Sequence, residues 1–139
     1  MTEEDYVTED VAKTLRKKGF NEKCRGYFYN GVFCFSCFHN EYNKTTSTDS
    51  LVSAPSLAQA ARWLREEHNI HVDVGLAEDF LNDADGNVCE ERIFWAFDIY
   101  TIDSLHHFDV EDNREYDSYE EALNEGIKEV LKMIWKQLN

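Results

Sequence analysis

A long amphipathic stretch near the C-terminus sets the first demand on how this chain can fold. Ser118 followed three residues later by Glu121 has the spacing of a capping box, in which side chains satisfy free N–H groups at a helix start. Behind it Tyr119, Ala122, Leu123, Ile127, Val130, Leu131, Ile134 and Leu138 form one apolar stripe. Glu120, Glu121, Glu125, Lys128, Glu129, Lys132 and Lys136 take the other side. A stripe this long needs another layer to cover it, so the rest of the chain must supply one. Gly126 falls on the apolar side, which predicts that something crosses there closely.

Two shorter helices precede it. Thr8 is the expected N-cap of the first, with Glu9 and Asp10 in its opening turn and Val11 and Leu15 inward. Arg16, Lys17 and Lys18 then lead to a Gly19 stop. Acid at the start and base at the end suit the helix dipole. Ser56 and Gln59 repeat the capping-box spacing ahead of Leu57, Ala60, Ala61 and Leu64, with Trp63 bordering that stripe and Asn69 as terminator.

Strands fill the intervals. Tyr27-Phe28-Tyr29 and the run 32–38 flank Asn30-Gly31, the dipeptide that most favours a two-residue hairpin turn. Ile70, Val72, Val74 and Leu76 alternate with His71, Asp73 and Gly75. A longer aromatic strand covers 93–100, with Ile93, Trp95, Phe97 and Ile99 inward because Asp98 stands on the other face. The polar stretches 41–53, 81–87 and 103–117 read as loops. The expected fold is α+β in one domain over 1–139, with an antiparallel or mixed sheet of about four strands and three helices in the order α-β-β-α-β-β-α. The helices should lie largely on one face, and 1–7 and 103–117 are the expected mobile stretches.

Asp and Glu total 28 against 14 Lys and Arg, a net charge of −14. Such a field repels phosphate backbones and anionic lipid, so neither nucleic acid nor a membrane is an expected direct partner. No run approaches the ~18 apolar residues a bilayer span needs. The acidic opening Met1-Thr2-Glu3-Glu4-Asp5 has neither the basic nor the apolar region of a secretory signal. A cytoplasmic location with reduced cysteines is the resulting expectation. The acidity admits a second use, mimicry of DNA phosphates by an inhibitor of a nucleic-acid-binding protein.

Cys34-Phe35-Ser36-Cys37 has CxxC spacing. A redox pair of that kind needs its first thiol at a helix N-terminus, and a zinc knuckle needs a tight turn. Inside an alternating strand the two sulfurs point to opposite faces, so they read as small apolar residues. The hairpin register defines a different pair. With a two-residue loop at Asn30-Gly31, Tyr29 faces Val32, Phe28 faces Phe33, Tyr27 faces Cys34 and Cys24 faces Cys37. The last rung is non-hydrogen-bonded, where side chains are closest. Cys24 and Cys37 are thus a candidate thiol pair, reduced in the cell and able to form a disulfide in air. The competing reading places Cys24 in a loop ahead of the strand.

Asp83-Ala84-Asp85-Gly86-Asn87 has calcium-loop residue types, but its glycine comes too early and a strand follows where a helix should. It reads as an Asp-Gly turn. His68 and His71 straddle a helix-to-strand junction. His106 and His107 lie near Asp103 and Asp109, a mixed set that forms the one candidate divalent-metal site, with solvated loop histidines as the plainer reading. No nucleophile–base spacing or phosphate loop is present, and no catalytic residue or cofactor is expected. The chain is therefore expected to be a non-catalytic protein-binding or accessory module, with the surplus aromatics Trp63, Tyr100 and Tyr116 as its contact surface. A metal-dependent enzyme using the loop His and Asp side chains is the remaining alternative. The expected partner is an unidentified protein. The chain itself should be a monomer or weak homodimer, with strand edges at 27–29 or 70–76 available to pair two copies.

Three segments carry a resemblance. They are Ala54-Pro55-Ser56-Leu57-Ala58-Gln59-Ala60-Ala61-Arg62-Trp63-Leu64-Arg65-Glu66-Glu67-His68-Asn69-Ile70-His71-Val72, the stretch Ser118-Tyr119-Glu120-Glu121-Ala122-Leu123-Asn124-Glu125-Gly126-Ile127 with the aromatic strand before it, and Lys17-Lys18-Gly19-Phe20-Asn21-Glu22-Lys23-Cys24. Together they resemble a family of small uncharacterised proteins, a domain of unknown function from phages, prophages and gut Bacteroidales. In those relatives a Pro often stands where this chain has Lys23. The resemblance spans most of the chain and implies a shared fold and a mobile-element context. It implies no activity.

Overall fold

The computed structural model describes residues 2–35, 51–110 and 115–138, with side chains as far as 134. After a 3-10 turn at Glu3–Asp5 the chain forms α1 (Glu9–Lys17), β1 (Gly26–Tyr29), β2 (Val32–Phe35), β3 (Leu51–Ala54), α2 (Leu57–His68), β4 (Ile70–Asn82), β5 (Val88–Thr101), β6 (His107–Phe108) and α3 (Tyr119–Leu138). The fold is α+β. The strands make two three-stranded antiparallel sheets, ordered β2-β1-β3 and β4-β5-β6.

The caps act largely where the spacing places them. The Glu121 N–H donates to Ser118 Oγ and the Gln59 N–H to Ser56 Oγ, each at 3.1 Å. At α2 only half of the capping box forms. The Gln59 amide donates instead to Glu22 Oε1 at 3.2 Å and to the Lys23 carbonyl at 3.0 Å, tying the helix to the turn ahead of β1. Asn69 ends α2 in the left-handed region at φ 59°, and Asn30 and Gly31 turn the hairpin at φ 50° and 81°.

Helix α3 packs across β4 and β5 and also meets α1 and α2. Gly126 makes this possible: a Cβ there would lie 2.4 Å from Val72 Cγ1 and 3.2 Å from Phe97 Cγ. Two residues earlier Asn124 is buried and locked to the start of α1. The Thr8 N–H donates to Asn124 Oδ1 and Asn124 Nδ2 donates to Thr8 Oγ1, both at 3.1 Å. The Thr8 hydroxyl in turn donates to Asp10. Burial alone would raise the Asp10 carboxyl, but the bonds from Thr8 and Lys128 outweigh it and hold it below the ordinary range. The inner faces of both sheets, through Phe28, Val52, Val72 and Ile99, join the helices in one continuous core.

Several expectations need correction. Four strands in one sheet become six in two. Residues 51–54 at the end of the first expected loop form β3, and the third expected loop contains β6 and the isolated bridge from Tyr116 to Trp95. These elements are too short to show a period. β1 lies between β2 and β3, so 27–29 is no edge, whereas β4 is one. Gly26 admits this crowding, because a Cβ there would come 2.7 Å from the Ala54 carbonyl and 2.8 Å from the Tyr6 ring. Tyr6 and Val7, in the stretch expected to be loose, are buried, and the Tyr6 ring lies 5.0 Å from that of Phe33. The second expected loop shrinks to 83–87, since β4 and β5 extend 13 and 14 residues and pair from Ile70↔Thr101 to Asn82↔Val88.

Gly126→Ala should lower stability by about 1–3 kcal/mol through overpacking against Val72 and Phe97, although alanine is the better helix former by about 1 kcal/mol. Asn124→Ala should cost about 1–3 kcal/mol by stranding the Thr8 N–H. Urea unfolding of each variant checks both values.

Candidate functional site

The elongated β4–β5 pair is the most distinctive surface feature. Its base packs on α3, while residues 80–91 are exposed throughout. Cross-strand partners share a face, and Leu76 pairs with Trp95, Glu78 with Ile93, and Phe80 with Glu91. Ile93 therefore stands diagonally between Leu76 and Phe80 on the face that, nearer the base, enters the core. The three side chains, 64%, 62% and 48% exposed, form an apolar ridge flanked by Glu78 and Glu91. Ile93 is on the expected face but not inward, because the strand outruns the helices that would cover it.

The opposite face holds the brace. Arg92 reaches Asp79 Oδ2 at 2.9 Å and Glu115 Oε1 at 3.2 Å. Three residues further along β5, Trp95 exchanges both backbone hydrogen bonds with Tyr116, at 3.0 and 3.1 Å. Its ring, on the ridge face, meets Tyr119 at 5.6 Å. A two-stranded ribbon is marginal alone in water, so these contacts decide how far the arm stays ordered.

The expected contact surface is mostly internal. Trp63 is 6% exposed and Tyr116 4%. Trp63 lies edge-on to Phe20 at 5.5 Å and to His68 at 4.9 Å. Burial there lowers the His68 pKa, opposed in part by Glu67. The buried side of α2 is broader than its stripe because Phe20 covers a second flank. Tyr116 packs on Phe97, and Tyr100 is half-buried beneath His107 at 5.0 Å.

The histidine–aspartate candidates do not converge. His107 Nε2 meets Asp98 Oδ1 at 3.1 Å and its Nδ1 faces Asp109 Oδ1 at 3.6 Å. His106 lies edge-on to Phe108 at 5.0 Å, and Asp103 sits in the turn before them. Neighbouring residues entering a strand point to opposite faces, which separates the two histidines. Among the described residues no group of three or more His, Cys, Asp or Glu side chains is placed to hold a metal ion. Asp83 Oδ1 accepts the N–H groups of Asp85 and Asn87 at 2.9 Å, as the Asp-Gly turn requires.

The hairpin register runs as expected from Tyr29↔Val32 to Gly26↔Phe35. Cys37, and with it the Cys24–Cys37 rung, lies outside the described residues. Cys24 is buried and its thiol donates to the Glu22 carbonyl at 3.4 Å. Burial, reinforced by the Glu22 charge, pushes its pKa up to about 12, which suppresses the thiolate that oxidation needs. Cys89 is exposed on the arm.

Among the described residues two depressions lie beside α3. One of about 400 Å³ lies between the N-terminal turn and α3, with Glu3, Glu4, Glu120, Glu121 and Glu125 around Tyr6 and Phe28. The other, about 300 Å³, runs beside β4, where Leu57, Ala61, Val72 and Leu123 form an apolar wall with Arg65 and His71. No helix among the described residues is long and apolar enough to cross a membrane. Comparison with protein-family models, curated proteins and solved structures yields no match.

The arm and its ridge escaped the sequence reading because the alternation of β4 breaks at Glu78 and Asp79. Phe80-Leu81 among acids was the remaining signal.

Alkylation of the native protein should modify Cys89 rapidly and Cys24 only after unfolding, as mass spectrometry of labelled peptides would show. The raised Cys24 pKa also sets a pH dependence. Below about pH 9 its contribution to stability is complete. Between 9 and about 12 the unfolded chain loses the thiol proton first, so stability falls. Cys24→Ala should flatten that decline in urea unfolding.

Proposed function

We propose that the chain is a non-catalytic protein-binding module, cytoplasmic and belonging to a phage or related mobile element, that engages its partner through the β4–β5 arm. The observation that carries this reading is the ridge of Leu76, Ile93 and Phe80, exposed on a braced ribbon and flanked by carboxylates. Apolar side chains presented in a row, with a charged rim, are what a protein contact uses. The acidic setting suits a partner whose apolar cleft is bordered by Lys or Arg. The arm replaces Trp63 and Tyr116 as the contact element. The mobile-element context rests on the resemblance of the 54–72 and 118–127 segments.

The geometry gives the two other readings less support. Carboxylates on α1 and α3 are interrupted by the chain's own cations, as in Lys13–Glu9, Lys128–Asp10 and Lys132–Glu129, rather than standing in a phosphate-like row. Of the would-be metal site, His107 faces Asp109 and the Tyr100 ring, while His106 turns to Phe108.

Capture from a lysate of a phage-bearing host tests the proposal. A protein retained by the wild type should be recovered at least about tenfold less well by Phe80→Glu/Ile93→Glu, since central apolar anchors dominate such contacts. Equal recovery with both baits, or recovery of nothing specific, would count against it.

A further inference from the structure

Strand β4 is an edge, and the direction of its free backbone groups follows from its neighbours. Trp95 exchanges its backbone hydrogen bonds with Tyr116, and the Thr101 N–H donates to the His106 carbonyl at 2.9 Å. Both residues therefore turn their backbone away from β4, and their partners Leu76 and Ile70 must do the same. Alternation then places the N–H and C=O groups of Ile70, Val72, Val74, Leu76, Glu78 and Phe80 on the outer edge. Among the described residues no strand pairs with that edge, and it bears neither Pro nor Lys, the usual devices against pairing.

We propose that a second copy of this chain covers this edge. β4 pairs antiparallel with β4 about a two-fold axis at Gly75, making a continuous six-stranded sheet. The proposal rests on the reading of the β4–β5 arm as a contact element and names one occupant for it. Charge narrows the register, and the His71–Asp79 rung favours Gly75 over Val74 or Ala77, where no opposite charges meet. Centring on Leu76 would set Asp73 against Asp79, and centring on Glu78 would set that residue against itself. Centring on Gly75 opposes no like charges. It places His71 against Asp79 of the second copy, Ile70 against Phe80, and Val74 against Leu76.

The surroundings match that arrangement. The depression beside β4 has an apolar wall of Leu57, Ala61 and Val72, with Arg65 and His71 as well as Asp5 and Glu120 around it. In the Gly75 register it lies next to the incoming Glu78, Asp79 and Phe80. His71 at the base of one β4 thus meets Asp79 on the arm of the other, and the apolar wall receives Phe80. Each free backbone group finds a partner, and the exposed ridge gains cover. The net charge of −14 on each copy opposes the association, so added salt should strengthen it.

Gly75 supplies the test, because a Cβ there meets nothing within 4 Å and would face its own copy on a non-hydrogen-bonded rung, close enough for a disulfide. In a Cys89→Ser background, Gly75→Cys should give a covalent dimer under mild oxidation, whereas Ala77→Cys should not. Sedimentation of the wild type should show a dimer that tightens with salt. Leu76→Pro, which removes only an outward-facing N–H, should weaken it at least about tenfold without unfolding the chain. A wild type that stays monomeric at high protein and salt concentration would overturn the proposal, as would cross-linking at Ala77 instead of Gly75, or a Leu76→Pro variant that dimerises normally. A monomer that still captures a host protein through Phe80 and Ile93 would remove the dimer and leave the contact reading standing. A dimer that captures nothing would do the reverse.

Discussion

The close seating of α3 on the β4–β5 sheet at Gly126 governs the arrangement of the other elements. With no side chain at that point, the helix axis comes near enough for Val72 and Phe97 to touch its backbone. That approach brings Tyr119 onto Trp95 and lets Asn124 meet Thr8. The first contact anchors the base of the ribbon, and the second fixes where α1 begins. A wider helix–sheet gap would break both, leaving a buried amide and an N–H without partners.

The ribbon depends on that seating but is not held by it along its whole length. Its hydrophobic cover ends near the Trp95 rung, and beyond it the Arg92 guanidinium between Asp79 and Glu115 takes over. Exposed ion pairs are individually weak, so the apolar ridge is presented by an element with little stability of its own. A surface with such cover missing is where a partner gains most by binding.

How much of this was legible depended on whether a segment faces one environment or two. Helices α1, α2 and α3 each bury one stripe, and their starts and stops at Thr8, Gly19, Ser56, Asn69 and Ser118 appear where the spacing puts them, although the Thr8 hydroxyl bonds Asp10 and caps no backbone N–H. The Asn30-Gly31 turn and its register were equally readable, as was the crossing at Gly126. β3 and β6 were not, because four and two residues are too few to display a period. The outer half of β4 and β5 is solvated on both faces, so the alternation that marks a half-buried strand is absent there. Site residues suffered from the same cause. Trp63 and Tyr116 looked superfluous only because the surfaces that bury them come from Phe20 and Phe97, distant in sequence. The ridge stayed hidden until cross-strand pairing brought Ile93 between Leu76 and Phe80.

The solvated outer half of the ribbon also separates reach from folding. Every residue from 80 to 91 is exposed, so rungs added or removed at the tip alter how far the hairpin projects while leaving the helical interior untouched. Changes of length in this scaffold should therefore be tolerated best around the Asp83–Asn87 turn and least in the body.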